Sequence, residues 1–181
     1  MESRRSGLFV YYRWLVLLLA SGLCLFPLWA TFVGAFPGAI PPMIGWAAAT
    51  GSLHKGAWLL FLILFFWQFP HFHAISWMYR EDYARAGILM LPVVDKEGKR
   101  TYRQIILYAA ALVAVSLLPA IMGFAGVLYF FGALVTCTGL VQVCLWAAHA
   151  KTNLRAKWLM HATVMHIPIL LGLMMYDKVQ R

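Results

Sequence analysis

Of 181 residues, 63% are hydrophobic and 12% charged, and 15 basic against 6 acidic side chains give a formal charge of +9. Four runs free of Asp, Glu, Lys and Arg, at 14–54, 56–79, 104–150 and 158–176, occupy 131 positions, which leaves no charged helix faces and excludes a water-soluble fold. The cations lie in short segments between these runs and form no basic stripe, which excludes nucleic acid as a partner.

A helix crossing the hydrocarbon core takes roughly 20 residues. The runs then predict about six spans, at 14–33, 37–53, 57–79, 104–123, 126–148 and 158–176, in an all-α integral membrane helical bundle. Breaks are expected at Gly34-Ala35-Phe36-Pro37-Gly38 and at Gly123-Phe124-Ala125-Gly126. Arg4, Arg5 and Arg13 precede the first run, and residues 4–30 have the length of a signal peptide. No small-x-small cleavage site is clear, so an uncleaved anchor is the preferred reading. Trp58 and Trp77 bracket the third span, and Trp146 and Trp158 flank the polar stretch around Lys151, as interfacial anchors do. Cys24, Cys137 and Cys144 all fall inside apolar runs and read as small buried hydrophobes.

The 80–103 loop carries Arg80, Arg85, Lys96, Lys99, Arg100 and Arg103, and the 151–157 loop carries Lys151, Arg155 and Lys157. Two predicted spans separate them, so both face one side, the cytoplasm by the bias of basic loops. Three spans before residue 80 would put Arg13 on the opposite side, against that same bias. A single crossing in the first run, with a re-entrant piece broken at Pro37, Pro41 and Pro42, would remove the conflict. Both arrangements remain open at the level of sequence.

Polar side chains are expensive in lipid and mark sites. The densest group is Trp67-Gln68-Phe69-Pro70-His71-Phe72-His73, followed by Tyr79-Arg80-Glu81-Asp82-Tyr83-Ala84-Arg85-Ala86-Gly87. If the helix continues past Pro70, then His71, Ile75, Met78 and Asp82 form one stripe, with Asp82 at the membrane mouth. A lone intramembrane histidine more often bonds a neighbouring helix, and that is the commoner role for His71. The setting of Asp82 is stronger, because residues 80–103 hold six basic and four acidic side chains. Carboxylates for Mg²⁺ beside cations for phosphate oxygens suit a metal-bridged polyanion. His71 or His73 opposite His161 or His166 would instead suit bis-imidazole haem ligation.

At these residues the chain resembles the protohaem IX farnesyltransferase (haem O synthase) branch of the UbiA-type intramembrane prenyltransferases. Gly34 to Trp46, Trp67 to Phe72, Tyr79 to Ile88 and Met90-Leu91-Pro92-Val93 carry the match, which continues more loosely through Arg103-Gln104-Ile105 and the last span. It spans about 29–178, behind a divergent segment 1–28, so that 29–181 resembles the C-terminal part of a nine-helix bundle. The resemblance implies transfer of a farnesyl group from farnesyl diphosphate to a vinyl group of haem b. The product, haem O, serves haem-copper oxidase biogenesis, and the implied location is a bacterial inner membrane. It implies Asp82 and Glu81 as Mg²⁺ ligands, Arg80, Arg85 and Arg103 on the diphosphate, Tyr79 and Tyr83 positioning it, and His71 facing haem.

One departure stands out. The family carries an earlier NxxxDxxxD motif that supplies most Mg²⁺ ligands, and the six acids here (Glu2, Glu81, Asp82, Asp95, Glu97, Asp177) cannot form it. Little or no transferase activity is therefore expected of the chain alone, unless a partner supplies the missing helices. A b-type haem carrier, for electron transfer or haem delivery, is the competing reading, and a transporter or assembly subunit the third.

Overall fold

The computed structural model describes residues 27–179, with side chains from 31 to 177. Eight helices run through it: α1 Pro27–Ala39, α2 Pro41–Thr50, α3 Lys55–Met78, α4 Arg80–Arg85, α5 Leu91–Val94, α6 Lys99–Ile121, α7 Val127–Ala150 and α8 Asn153–Val179. Five stretches are long and apolar enough to cross a membrane: Thr31–Thr50, Lys55–Met78, Lys99–Ile121, Val127–Ala150 and Asn153–Asp177. The all-helical membrane architecture expected from the charge-free runs is the one found. The first expected span falls mostly outside the described residues.

The first described span differs from expectation in where it breaks. Gly34, Pro37 and Gly38 all lie inside α1, and the interruption comes at Ile40, ahead of Pro41 and Pro42. Two consecutive prolines remove two N–H donors from the ladder, whereas Pro37 alone removes one and leaves the helix intact. Both halves run antiparallel along α3. The Gln68 amide donates to the Ala35 carbonyl at 2.9 Å, and eleven residues further on Trp46 lies against Gly56. The prolines therefore kink a crossing segment and do not mark a re-entrant one.

α3, α6, α7 and α8 form a ring in which each helix packs on its two neighbours. Its core combines Leu, Ile and aromatic side chains with small ones, including Ala74, Ala109, Ala133, Cys144, Ala147 and Ala156, each at most 1% exposed. In lipid there is no hydrophobic drive between helices, so close approach of small residues supplies the packing contact. Cys137 and Cys144 are free and buried, as small hydrophobes would be. Large apolar residues such as Leu107, Phe131 and Val135 point outward. A second cluster, with Phe32, Phe61, Phe65 and Phe69, fastens α1 and α2 to α3, and Tyr108 of α6 stacks on Phe69 at 3.7 Å.

Polar groups close the ends. The Asp177 carboxylate accepts the Gly126 N–H, capping α7 from the last turn of α8. α6 begins at Lys99, five residues before the expected start at 104, because Asp95 accepts both the N–H and the hydroxyl of Thr101 (2.8 and 3.0 Å). Lys99, Arg100 and Arg103 then ride on the first turns of a spanning helix, with long aliphatic stems that let their charges reach the interface.

Gly38 and Gly34 give a matched test of the α1–α3 contact. A Cβ at Gly38 would collide with the Gln68 amide, whereas one at Gly34 meets nothing within 4 Å. Gly38→Ala should cost about 1–3 kcal/mol through overpacking and the disturbed Gln68 bond. Thermal unfolding in detergent should show a clear drop for Gly38→Ala and little change for Gly34→Ala; equal melting temperatures would refute the contact.

Candidate functional site

The charged residues gather where α3 ends and α6 and α8 begin. α3 does run past Pro70, but it stops at Met78. Tyr79 adopts φ −102° and ψ 20°, outside helical geometry, and α4 restarts at Arg80. Asp82 therefore does not continue the stripe of His71, Ile75 and Met78. Part of the reason is Arg80, whose guanidinium folds back to donate to the Trp77 carbonyl at 2.7 Å and so caps the last turn of α3. Arg80 also donates to Asn153 Oδ1 at 2.6 Å and lies over the Trp77 ring at 4.8 Å. Three contacts commit this cation to holding the mouth together.

Trp77 is the centre of that mouth. Its indole N–H donates to the Lys151 carbonyl at 3.1 Å, and Tyr102 meets it edge-on at 5.3 Å. Gly98, at φ +71°, passes so close that a Cβ would lie 2.6 Å from the ring. Lys151 caps α7 in the left-handed region at φ 50° and reaches with Nζ to the Glu97 carbonyl at 3.0 Å. Neither Trp77 beyond its anchoring role nor Lys151 stands out in the sequence, because their partners are backbone groups far along the chain.

α4 carries the residues left available. Glu81 and Asp82 occupy its first turn and Arg85 its last, an arrangement that suits the helix dipole. Asp82 and Arg85 form an ion pair, with side chains 57% and 79% exposed. An exposed pair of this kind contributes about 0.2–1 kcal/mol, so it opens readily to another ligand. Glu81 and Tyr79 are exposed and Tyr83 is half-buried. A Schellman motif ends the helix: Ile88 N–H donates to the Tyr83 carbonyl at 2.9 Å and Gly87 N–H to Ala84 at 3.1 Å, with Gly87 at φ +71°. Leu91 and Pro92 of α5 then bury themselves and tie the loop down.

The other two acids of the loop serve elsewhere, Asp95 at the start of α6 and Glu97 in an ion pair with Lys99 at 2.8 Å. The Lys99 ammonium holds the Glu97 carboxyl below its ordinary range. Arg103 lines a groove between α6 and α7 together with Lys99 and Lys151, and no residue from Tyr79 to Arg85 lines that groove.

His71 lies seven residues before the end of α3, about 10 Å below the mouth at the standard rise. The Thr163 hydroxyl donates to the Met160 carbonyl at 2.6 Å, so it accepts from His71 Nδ1–H at 2.9 Å. That assignment leaves Nε2 with its lone pair on a half-buried ring. Trp67 stacks on the imidazole at 4.7 Å and donates to the Thr163 carbonyl at 2.7 Å, fixing its plane. His73 is buried against Gln104 Oε1 at 2.8 Å, and His166 lies 3.7 Å from Cys137 Sγ. His161 is exposed and bonded to Lys157 of its own helix.

Among the described residues no three His, Cys, Asp or Glu side chains converge. Glu81 and Asp82 alone, with Asp82 already on Arg85, do not fit a complete Mg²⁺ centre, which takes octahedral oxygen ligation.

The described residues thus form a membrane bundle with an acidic and cationic rim beside an apolar, histidine-bearing interior. The family model described as the UbiA prenyltransferase family matches residues 7–169, and the chain belongs to that family. It is 51% identical over 150 residues to a protein named protoheme IX farnesyltransferase from Solibacter usitatus, covering 83% of this chain and 51% of the relative. A protein of the same name from Koribacter versatilis is 48% identical over 157 residues (82% and 50%), and one from Flavobacterium johnsoniae 45% over 157 (84% and 52%). The chain spans about half the length of the curated relatives it matches. No solved structure matches it.

The two positive-φ glycines of the loop should differ. Gly87→Ala meets only the conformational penalty, about 1 kcal/mol, since nothing lies within 4 Å. Gly98→Ala adds a clash with Trp77, so its loss of stability should be at least twice as large. Limited proteolysis of the 80–98 loop and tryptophan emission should both register the second variant; indistinguishable variants would contradict the Trp77 contact.

Proposed function

We propose that the chain carries the diphosphate-facing mouth and haem-facing histidine of a protohaem IX farnesyltransferase. The reaction joins farnesyl to a vinyl carbon of haem b: the allylic C–O bond breaks, diphosphate leaves, the vinyl carbon attacks the allylic cation, and the cation left on the other vinyl carbon takes up water and loses a proton. The observation that carries the reading is the weakly held Asp82–Arg85 pair on α4, directly above the spanning helices, in a chain so similar to proteins of that name.

Roles follow from what each side chain is free to do. Arg85, exposed and held only by Asp82, turns to the departing diphosphate and takes up its charge. Arg80 is committed to Trp77 and Asn153, so it positions α4 against α8 and contributes its field. Tyr79 and Tyr83 flank the rim as hydroxyl donors. The apolar helices below exclude water from the allylic cation. His71, with Nδ1 fixed by Thr163 and Nε2 free, orients haem through its iron or a polar edge. Glu81 and Asp82 provide carboxylates for a divalent metal, but the described residues do not complete its ligand set, so no step here depends on it.

The test supplies the missing carboxylates. Co-expression of this chain with the first half of the Solibacter usitatus relative should produce farnesylated haem, detected by mass, while the chain alone should produce little or none. Within the pair, Asp82→Asn and Arg85→Gln should each lower product by about 10²-fold, the scale of losing one charge-stabilising group. Wild-type yield from both variants, with the protein still inserted, would overturn the reading.

A further inference from the structure

Away from α4, a groove of about 550 Å³ opens between the start of α6 and the end of α7. Its upper end carries three cations, Lys99, Arg103 and Lys151, and its lower part is the apolar wall of Ile106, Leu107 and Ala110. Arg103 and Ala110 are two turns apart, so the groove descends about 10 Å along the helix. Leu107 is 63% exposed, on the outward face of a spanning helix, where acyl chains lie.

The cations are unequally satisfied. Lys99 pairs with Glu97, and Lys151 donates to the Glu97 carbonyl. Arg103 has no ion pair or hydrogen bond among the described residues. Tyr102, in the groove wall, keeps a buried hydroxyl without an acceptor among the described residues. Three positive charges and one pairing carboxylate leave a net positive headgroup level, continuous with an apolar channel open to the bilayer. A soluble phosphate would use only the upper end.

We propose that this groove is a binding site for an anionic phospholipid, with the phosphodiester at Arg103, Lys99 and Lys151 and one acyl chain along Leu107 and Ala110. Arg103 provides the forked donor for the phosphate oxygens, and the lysines add charge. The lipid seals α6 to α7 at the end of the bundle where the loops converge. Of the residues that the resemblance places on the diphosphate, Arg103 lies in this groove, whereas the rim from Tyr79 to Arg85 does not line it, so the two sites are tested separately.

The full chain, purified in detergent, is mixed with dioleoyl phosphatidylglycerol or dioleoyl phosphatidylcholine and examined by native mass spectrometry. The anionic lipid should be retained about tenfold better, and Arg103→Gln should bring the two to parity with helicity unchanged. Ala110→Phe, an exposed position, should lower retention by filling the acyl seat. Equal retention of both lipids by the unaltered chain, or unchanged preference in Arg103→Gln, overturns the proposal. So does displacement of the lipid by equimolar glycerol phosphate, which would make the site one for free phosphate, or by equimolar farnesyl diphosphate, which would make it part of the reaction. None of these readouts involves haem, so failure here and failure of the transferase reading are separable.

Discussion

The mouth of the bundle depends on one buried indole. Trp77 lies in the last turn of α3, and the chain returns to it twice: at Gly98 before α6, and at Lys151 between α7 and α8. An aromatic of this size buries about 150–250 Å² and still needs a partner for its N–H. The Lys151 carbonyl is that partner, and the left-handed turn at Lys151 is what aims it. Arg80 lies across the same ring and reaches Asn153, so α8 is drawn in by the residue that also ends α3. Four helix termini are thereby set at one level, and α4 is launched from a fixed point.

Much of this architecture was legible because lipid tolerates so few patterns. Charge-free runs of sufficient length have to be helices, and the approximate limits of the described spans follow. The limits shifted wherever a charge was recruited into a helix: α6 starts at Lys99 because Asp95 caps Thr101, a partnership that no periodicity reveals. The break in the first span moved for a similar reason. Glycine suggests flexibility, but Gly38 is there to admit the Gln68 amide, and the helix fails only where two prolines follow each other. The stripe through His71 failed at Asp82 because Arg80 found a carbonyl one turn back. The contacts behind these misses, from one turn away at Arg80 to a whole helix away at Gln68, are ones that no periodicity reveals.

The acids show how the site is provisioned. Asp95 and Asp177 are consumed in capping, and Glu97 sits in an exposed pair with Lys99, so the rim on α4 is left with Glu81 and Asp82. Sequence counting identified the scarcity, and the packing explains why Asp95 and Asp177 are not free to join them. The histidines divide by burial: His73 and His166 lie inside the ring, on Gln104 and Cys137, while the half-buried His71 bonds Thr163 through one nitrogen.

The kinked first span has a mechanical consequence. α1 and α2 lean chiefly on α3, through a seam of phenylalanines and the Gln68 clasp, while α3, α6, α7 and α8 close on one another. Pulled from its N-terminal side, the molecule would shed the kinked helix pair first, as a discrete step, and the four-helix ring would yield later and together. The same order, run backwards, is an assembly sequence in which the ring forms before its outer helix docks.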